Sequence, residues 1–343
     1  MRLLLGLVLL CSLLLAGCGR DPAPGDQSAW VDEEVSFVAD GLTLYGTYRH
    51  RSGGTPGPAA LLISESGATD RNGDNNVAGP IGNMRQLAEF LADRGVATLR
   101  YDKVGTGSTG LGPYKAKPAD VGSAVYTGGA KAAVRFLADR PGTDRISVYA
   151  LGEGTVHALA LADDTSGDAP TIHSLGLLQP LAARYLDLIS GRVSADLAAS
   201  VRSGTKTAEQ ADQVLAAWRA AVTQVRTSGS APAALPDGLS AILNPGNAKA
   251  VAEADAIDPL DLAAGVPAGT PVLLSCSDSD AQATCSAIAP LARALEHTAV
   301  TLLELRGVNH VLRDDPTDSI ANYANKAPLS AQLTDALTVF VTK

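Results

Sequence analysis

The residues with the clearest chemical meaning lie in one run, Ile146-Ser-Val-Tyr-Ala-Leu-Gly-Glu-Gly-Thr-Val-His-Ala-Leu-Ala-Leu-Ala162. A short apolar, β-branched and aromatic stretch reads as a buried strand. A Gly-Glu-Gly turn follows, and then an apolar, small-residue pattern that reads as a helix packed closely on a sheet. Strand, tight glycine turn and helix form the frame in which Gly-x-Ser-x-Gly presents a serine for covalent attack on a carbonyl. Here the five positions are Ala150, Leu151, Gly152, Glu153 and Gly154. Gly152 holds the serine position and has no side chain to attack with. Thr155 and His157 lie on the helix beyond the turn, and His157 reads as a packed core histidine.

The frame needs a sheet around it, and the chain supplies one. Glu34 to Val38 and Leu42 to Tyr48 alternate apolar and polar about Ala39-Asp40-Gly41, the pattern of a hairpin. Continuous apolar runs at Ala59 to Ser64, Val96 to Tyr101, His173 to Leu178, Pro271 to Ser275 and Thr301 to Leu305 read as further strands. Helical spacing appears at Asn83 to Arg94, Val121 to Ala138, Thr284 to Leu295 and Ser330 to Val341. Strands alternating with helices predict an α/β fold, a mostly parallel central sheet with helices on both faces. Strand runs disappear across 181–267, where Arg184 to Val201 and Ala208 to Val225 have helical period. That block is expected to be a helical lid inserted into a core of residues 31–180 and 268–343. Ligands in such sheets bind beyond the carboxyl ends of the strands.

The chain has 343 residues, 46% of them hydrophobic, which suits one large domain with an insertion. A net charge of −9 argues against nucleic acid as a partner. No metal or nucleotide signature is visible, Gly105-Thr-Gly107 being too short for a phosphate loop, and no cofactor is expected. Residues 1–18 combine Arg2 with an apolar stretch too short to span a membrane comfortably. Their end, Leu15-Ala16-Gly17-Cys18, resembles the lipobox of bacterial lipoproteins, in which the cysteine is acylated; the other reading is an ordinary secretory signal. The lipobox implies export and a lipid anchor at Cys18 on the extracytoplasmic face of a bacterial membrane. Residues 19–30, rich in Asp, Pro and Gly, read as a flexible tether. Cys276 and Cys285 then remain in an exported chain. They are expected to form a disulfide, with two buried thiols as the alternative.

Several landmarks together resemble bacterial α/β-hydrolases of the serine aminopeptidase-like and esterase-like branch. They are Ser66-Gly67-Ala68-Thr69-Asp70-Arg71-Asn72-Gly73, Leu99-Arg-Tyr-Asp-Lys-Val-Gly-Thr-Gly107, Leu243-Asn-Pro-Gly-Asn247 and Gly307-Val-Asn-His-Val-Leu312, in that order along the chain. The resemblance implies an α/β-hydrolase fold, with a catalytic histidine at His310 and its acid at Asp280, Asp278 being the alternative acid. It implies an oxyanion pocket formed around Glu65, Ser66, Leu151 and Glu153. Three positions depart from the branch: Gly152 for serine, Ala150 for the glycine that opens the turn, and Glu65 for a glycine of the oxyanion loop. Glu65 thus sets a carboxylate where negative charge should develop. The expectation is a hydrolase frame degenerate at its nucleophile, binding an apolar or acyl ligand or a partner. The alternative is an acyl ester or amide hydrolase in which His310, held by Asp280, activates a water in the void above Gly152. Ser64, Ser66, Ser108, Ser147 and Thr155 are the remaining hydroxyls considered as attacking groups.

Overall fold

A computed structural model describes residues 29–54 and 56–343. The signal segment, Cys18 and residues 19–28 of the tether lie outside these described residues. Trp30, assigned to the tether from sequence, instead opens the first strand.

Strands β1 (Trp30–Ala39) and β2 (Leu42–Arg51) form an antiparallel hairpin. Asp40 and Gly41, both at positive φ (48° and 81°), make its two-residue turn, the backbone that matches the right-handed twist of paired strands. Then come β3 (Gly57–Ile63), α1 (Asn83–Ala92), β4 (Ala97–Tyr101), α2 (Ser123–Ala138), β5 (Thr143–Leu151), α3 (Gly154–Ala162) and β6 (Ile172–Leu178). After β6 the chain runs through α4 (Tyr185–Arg202), α5 (Ala208–Ser228), α6 (Ala248–Ala256) and α7 (Pro259–Gly265). It returns to the sheet with β7 (Pro271–Ser277), α8 (Cys285–Ala294), β8 (Ala299–Leu305), α9 (Ile320–Tyr323) and α10 (Ala331–Phe340).

The eight strands lie in one sheet in the order β1-β2-β4-β3-β5-β6-β7-β8. The β1–β2 and β2–β4 pairings are antiparallel and the others parallel. One face is covered by α2, α3, α7 and α8 through Val134, Leu137, Leu159, Ala263 and Ile288. The other is covered by α1 and α10 through Leu87, Leu91, Leu333 and Leu337. Strands buried on both faces need continuous apolar runs, and Leu61, Leu62 and Ile63 of β3 are each at most 2% exposed.

The insertion has its own core. Leu186, Val193 and Leu197 of α4 meet Val214, Trp218 and Val222 of α5 and Val251 of α6. Thr207 caps α5 reciprocally with Gln210, satisfying two otherwise orphaned donors. Asp255, 1% exposed, is paired with Arg184 and Arg226. Helix α7 falls inside the 181–267 block but packs with the sheet core through Ala263. Pro259 at its first turn and the Asp258 cap start it afresh after α6.

Candidate active site

The parallel register of β3 and β5 builds the site. Ile63 pairs with Ala150, so the residues just past both strand ends, Glu65 and Gly152, face each other at the carboxyl edge of the sheet. Gly152 has φ +54°, a left-handed conformation that glycine adopts without penalty. Two residues on, a Cβ at Gly154 would lie 2.8 Å from the carbonyl oxygens of Ile63 and Ser64. Glycine there lets α3 start directly against β3. The strand-to-helix turn expected from sequence is therefore present in backbone form, with Thr155 Oγ1 donating to the Gly152 carbonyl at 2.5 Å.

The volume above Gly152 is filled. The Glu65 carboxylate lies over it, so that a Cβ on residue 152 would come within 1.4 Å of Glu65 Oε2. Oε1 accepts from the backbone N–H of Ser66 (2.5 Å) and of Glu153 (3.2 Å), at the N-terminus of α3, where anions are favoured. Oε2 pairs with His310 Nε2 at 2.7 Å. His310 Nδ1 meets Asp280 Oδ2, also at 2.7 Å. The water expected above Gly152 finds its place taken by this carboxylate, which the β3–β5 register delivers and the linear sequence does not reveal.

Each member is held from behind. Asp280 is 0% exposed, and its Oδ1 accepts from the N–H groups of Gln282 and Ala283. The Cys276–Cys285 disulfide closes the loop that carries it, with a Cα–Cα distance of 4.9 Å. Asp278 turns away and accepts from Gly307 N–H, which leaves Asp280 as the carboxylate on His310. The His310 backbone N–H donates to Asp318, which also takes the Tyr323 hydroxyl. Lys103, buried at 5% exposure, donates to the carbonyls of Ser64 and Glu65. These contacts place its ammonium beneath the loop, and burial lowers its pKa.

Burial alone would discharge His310. Its hydrogen bonds to Asp280 and Glu65 and the charges of both outweigh that and raise its pKa to about 10. Burial likewise pushes the Glu65 carboxyl up, but His310 and the two backbone donors bring it down to about 2. At neutral pH Glu65 is thus a carboxylate and His310 an imidazolium. An imidazolium with both N–H groups committed has no lone pair with which to take a proton from water, and this opposes the general-base role.

Other site residues fall differently. Leu151 is 1% exposed and belongs to the sheet core beside Leu62 and Leu178, because strand alternation turns it away from the pocket. Ser66 contributes its backbone N–H. Glu153 contributes its N–H, while burial raises the pKa of its own side chain. Ser64 donates to the Thr69 carbonyl and Ser174 to Ser147, and the Ser108 N–H donates to Asp102. His310 bonds to none of these hydroxyls. His157 packs beside Tyr126 and bonds to Thr127, and burial lowers its pKa to about 3.

Beside Glu153, between the turn and the lid residue Tyr185, lies a cavity of about 20 Å³, room for roughly one water. A larger volume of about 610 Å³ lies within the lid, lined by Tyr185, Ile189, Val193, Leu197, Leu239 and Ile242 among others.

No protein family model and no curated protein sequence matches the chain. Solved structures do. An esterase of Pyrococcus furiosus matches with a TM-score of 0.55 at 14% identity over 91% of both chains. An esterase of Butyrivibrio proteoclasticus with ferulic acid bound matches with a TM-score of 0.55 at 16% identity, over 90% of this chain and 100% of that one. The fold is the α/β-hydrolase fold. A dienelactone hydrolase of Anabaena variabilis shares it, with a TM-score of 0.50 at 14% identity over 91% of this chain and 97% of that one. In this fold the carboxyl edge at β3, β5, β7 and β8 is where Glu65, Gly152, Asp280 and His310 meet.

Proposed function

We propose that this protein is an α/β-hydrolase-fold lipoprotein, held by Cys18 at the extracytoplasmic face of a bacterial membrane. We further propose that it has given up serine acyl transfer and works by binding a ligand or partner. The observation that carries the reading is the Glu65 carboxylate lying between His310 and the backbone donors of Ser66 and Glu153. A carboxylate of the chain itself fills the place where an acyl group and its oxyanion would sit, and Gly152 offers no side chain to attack with. The committed imidazolium of His310 disfavours activated water as a substitute nucleophile. The lid volume of about 610 Å³ is of ligand size and is lined by apolar residues (Ile189, Val193, Leu197, Ile242) together with Arg192, Asp196 and Asp237, which supports a ligand with both an apolar and a polar part held there instead of in the corner.

The test is hydrolysis of short and medium acyl nitrophenyl esters. The native protein and Gly152→Ser are expected to be inert, the latter because its side chain meets Glu65. Glu65→Gly combined with Gly152→Ser is expected to gain turnover that His310→Ala removes. Native turnover abolished by His310→Ala would overturn the reading.

A further inference from the structure

The amino edge of the sheet, opposite the corner, holds a cavity of about 260 Å³. Its lining combines Trp30, Glu33, Tyr48, His50, Arg51 and Arg140 with the backbone where β3, β4 and β5 begin. Both guanidiniums are seated on aromatic rings. Arg51 lies over Trp30 at 5.0 Å, and Arg140 over Phe136 at 4.0 Å and Tyr48 at 5.3 Å. Stacking takes the face of a guanidinium and leaves its N–H edge for an acceptor. Among the described residues no carboxylate pairs with Arg140. The one carboxylate in the lining, Glu33, stands 3.3 Å from His50 Nε2. The same edge is where the chain leads back toward its N-terminus. Trp30 opens β1, and the Ser52 N–H still donates to the Ala29 carbonyl at 2.9 Å. The twelve positions from Cys18 to Trp30 reach no farther than about 40 Å at full extension.

We propose that this cavity binds the phosphate of a phospholipid headgroup, so that the domain stands with its amino edge on the bilayer. The site rests on the proposed anchor at Cys18, which sets this edge, and no other, close to the membrane. Phosphate is the matching group because a guanidinium edge meets it with two parallel charge-assisted hydrogen bonds. The volume falls below that of sites for drug-sized ligands, and it suits a headgroup whose chains stay in the bilayer. Trp30 then lies at the depth where tryptophan is favoured at membrane interfaces. The anchor holds the cavity among headgroups at high effective concentration, so a weak intrinsic affinity suffices. The seating also orients the molecule. The nine residues of β5 run from this edge to the corner and place Gly152 about 30 Å farther from the bilayer. The corner then faces the aqueous side, and what reaches it comes from solution.

The test uses the full chain as matured in a bacterium, reconstituted into vesicles of equimolar phosphatidylcholine and phosphatidylglycerol with a trace of lipid spin-labelled at its headgroup. The protein has two tryptophans, and Trp218 is 0% exposed within the lid, so quenching of tryptophan emission reports Trp30. Native protein should be quenched, and Trp30→Phe should abolish the effect. Arg140→Gln should lose most of the quenching while staying with the vesicles. Glu33→Gln removes the competing carboxylate and should increase it, a gain that added Trp30→Phe erases. Quenching untouched by Arg140→Gln would overturn the proposal, because nearness to the tether would then account for it. Emission that responds to glycerol phosphate in detergent but is unquenched on vesicles would overturn the lipid headgroup in favour of a soluble phosphate ester. Mass spectrometry of the N-terminal peptide reads the anchor separately. Acylated Cys18 without Trp30 quenching overturns the headgroup site and leaves the anchor standing. An unacylated chain overturns the anchor, and quenching on added vesicles that Arg140→Gln removes would then still support the site.

Discussion

The loop after β3 carries two buried ion clusters only a few residues apart, and they behave in opposite ways. At Arg71 a guanidinium donates to Asp102 (3.0 Å), Glu34 (2.7 Å) and Thr47 (2.8 Å), while its backbone N–H donates to the second oxygen of Asp102. At His310 an imidazole lies between Glu65 and Asp280. Each is a cation flanked by two carboxylates. Guanidinium keeps its charge at every pH a protein meets, and burial, though opposing the charge at Arg71, is outweighed by Asp102 and Glu34. The imidazole is charged only because its neighbours are. One end of the loop is therefore an anchor and the other a conditional contact. Deprotonating His310 would therefore weaken the Glu65 contact while the Arg71 anchor keeps the loop in place.

Breaking the anchor should have the largest effect. Asp102→Ala leaves the Arg71 guanidinium, 9% exposed in its side chain, without its buried partner. It is expected to cost about 3–5 kcal/mol, read as a lower urea midpoint, and to unsettle Glu65 along with the loop. Gly152→Ser comes next. The clash with Glu65 and the positive φ should destabilise by about 2 kcal/mol. Adding Glu65→Gly should recover part of that, a non-additivity that double-mutant thermal unfolding would measure. Third is pH. His310 gains protons on folding, with its pKa raised from 6.5 to about 10, so its contribution is full below about pH 6.5 and lost as pH rises through about 10. Glu65, lowered from 4.5 to about 2, contributes above about pH 4.5 and loses its contribution as pH falls toward 2. Melting temperature should therefore be highest between about pH 4.5 and 6.5. Glu65→Gln should flatten the alkaline fall, because His310 then loses one of the charges that hold its proton. An alkaline limb unchanged by that variant would assign the fall to another group. Smallest is Glu34→Gln. This outer carboxylate of the anchor is 73% exposed, and the change should cost under about 1 kcal/mol in the same urea titration.

Much of the fold was legible because its signals are local. The Asp40-Gly41 turn, the apolar runs of β3 to β7 and the Gly152–Gly154 turn depend on residues adjacent in sequence. So does the Cys276–Cys285 disulfide, whose partners are separated by nine positions. Two of the motifs that carried the resemblance turn out to be the two halves of the anchor, Arg71 in one and Asp102 in the other. The meaning of Glu65 was not legible. A carboxylate there reads as an obstacle to oxyanion chemistry until the pairing of Ile63 with Ala150 sets it over Gly152. Sequence spacing cannot specify which strand lies beside which, or in what register. Leu151 was misassigned for a related reason, since the face a strand residue takes depends on the pleat. Helix α7 fell to the lid because that block was bounded by the absence of strand runs, which says nothing about which core a short helix joins.

The 1.4 Å separation between a Cβ on residue 152 and Glu65 Oε2 couples the two positions. A side chain at 152 and the present rotamer of Glu65 cannot coexist, so any residue larger than glycine there must push the carboxylate off His310 Nε2 and off the Ser66 and Glu153 N–H groups. The two positions work as a toggle, in which one side chain or the other fills the corner beside His310.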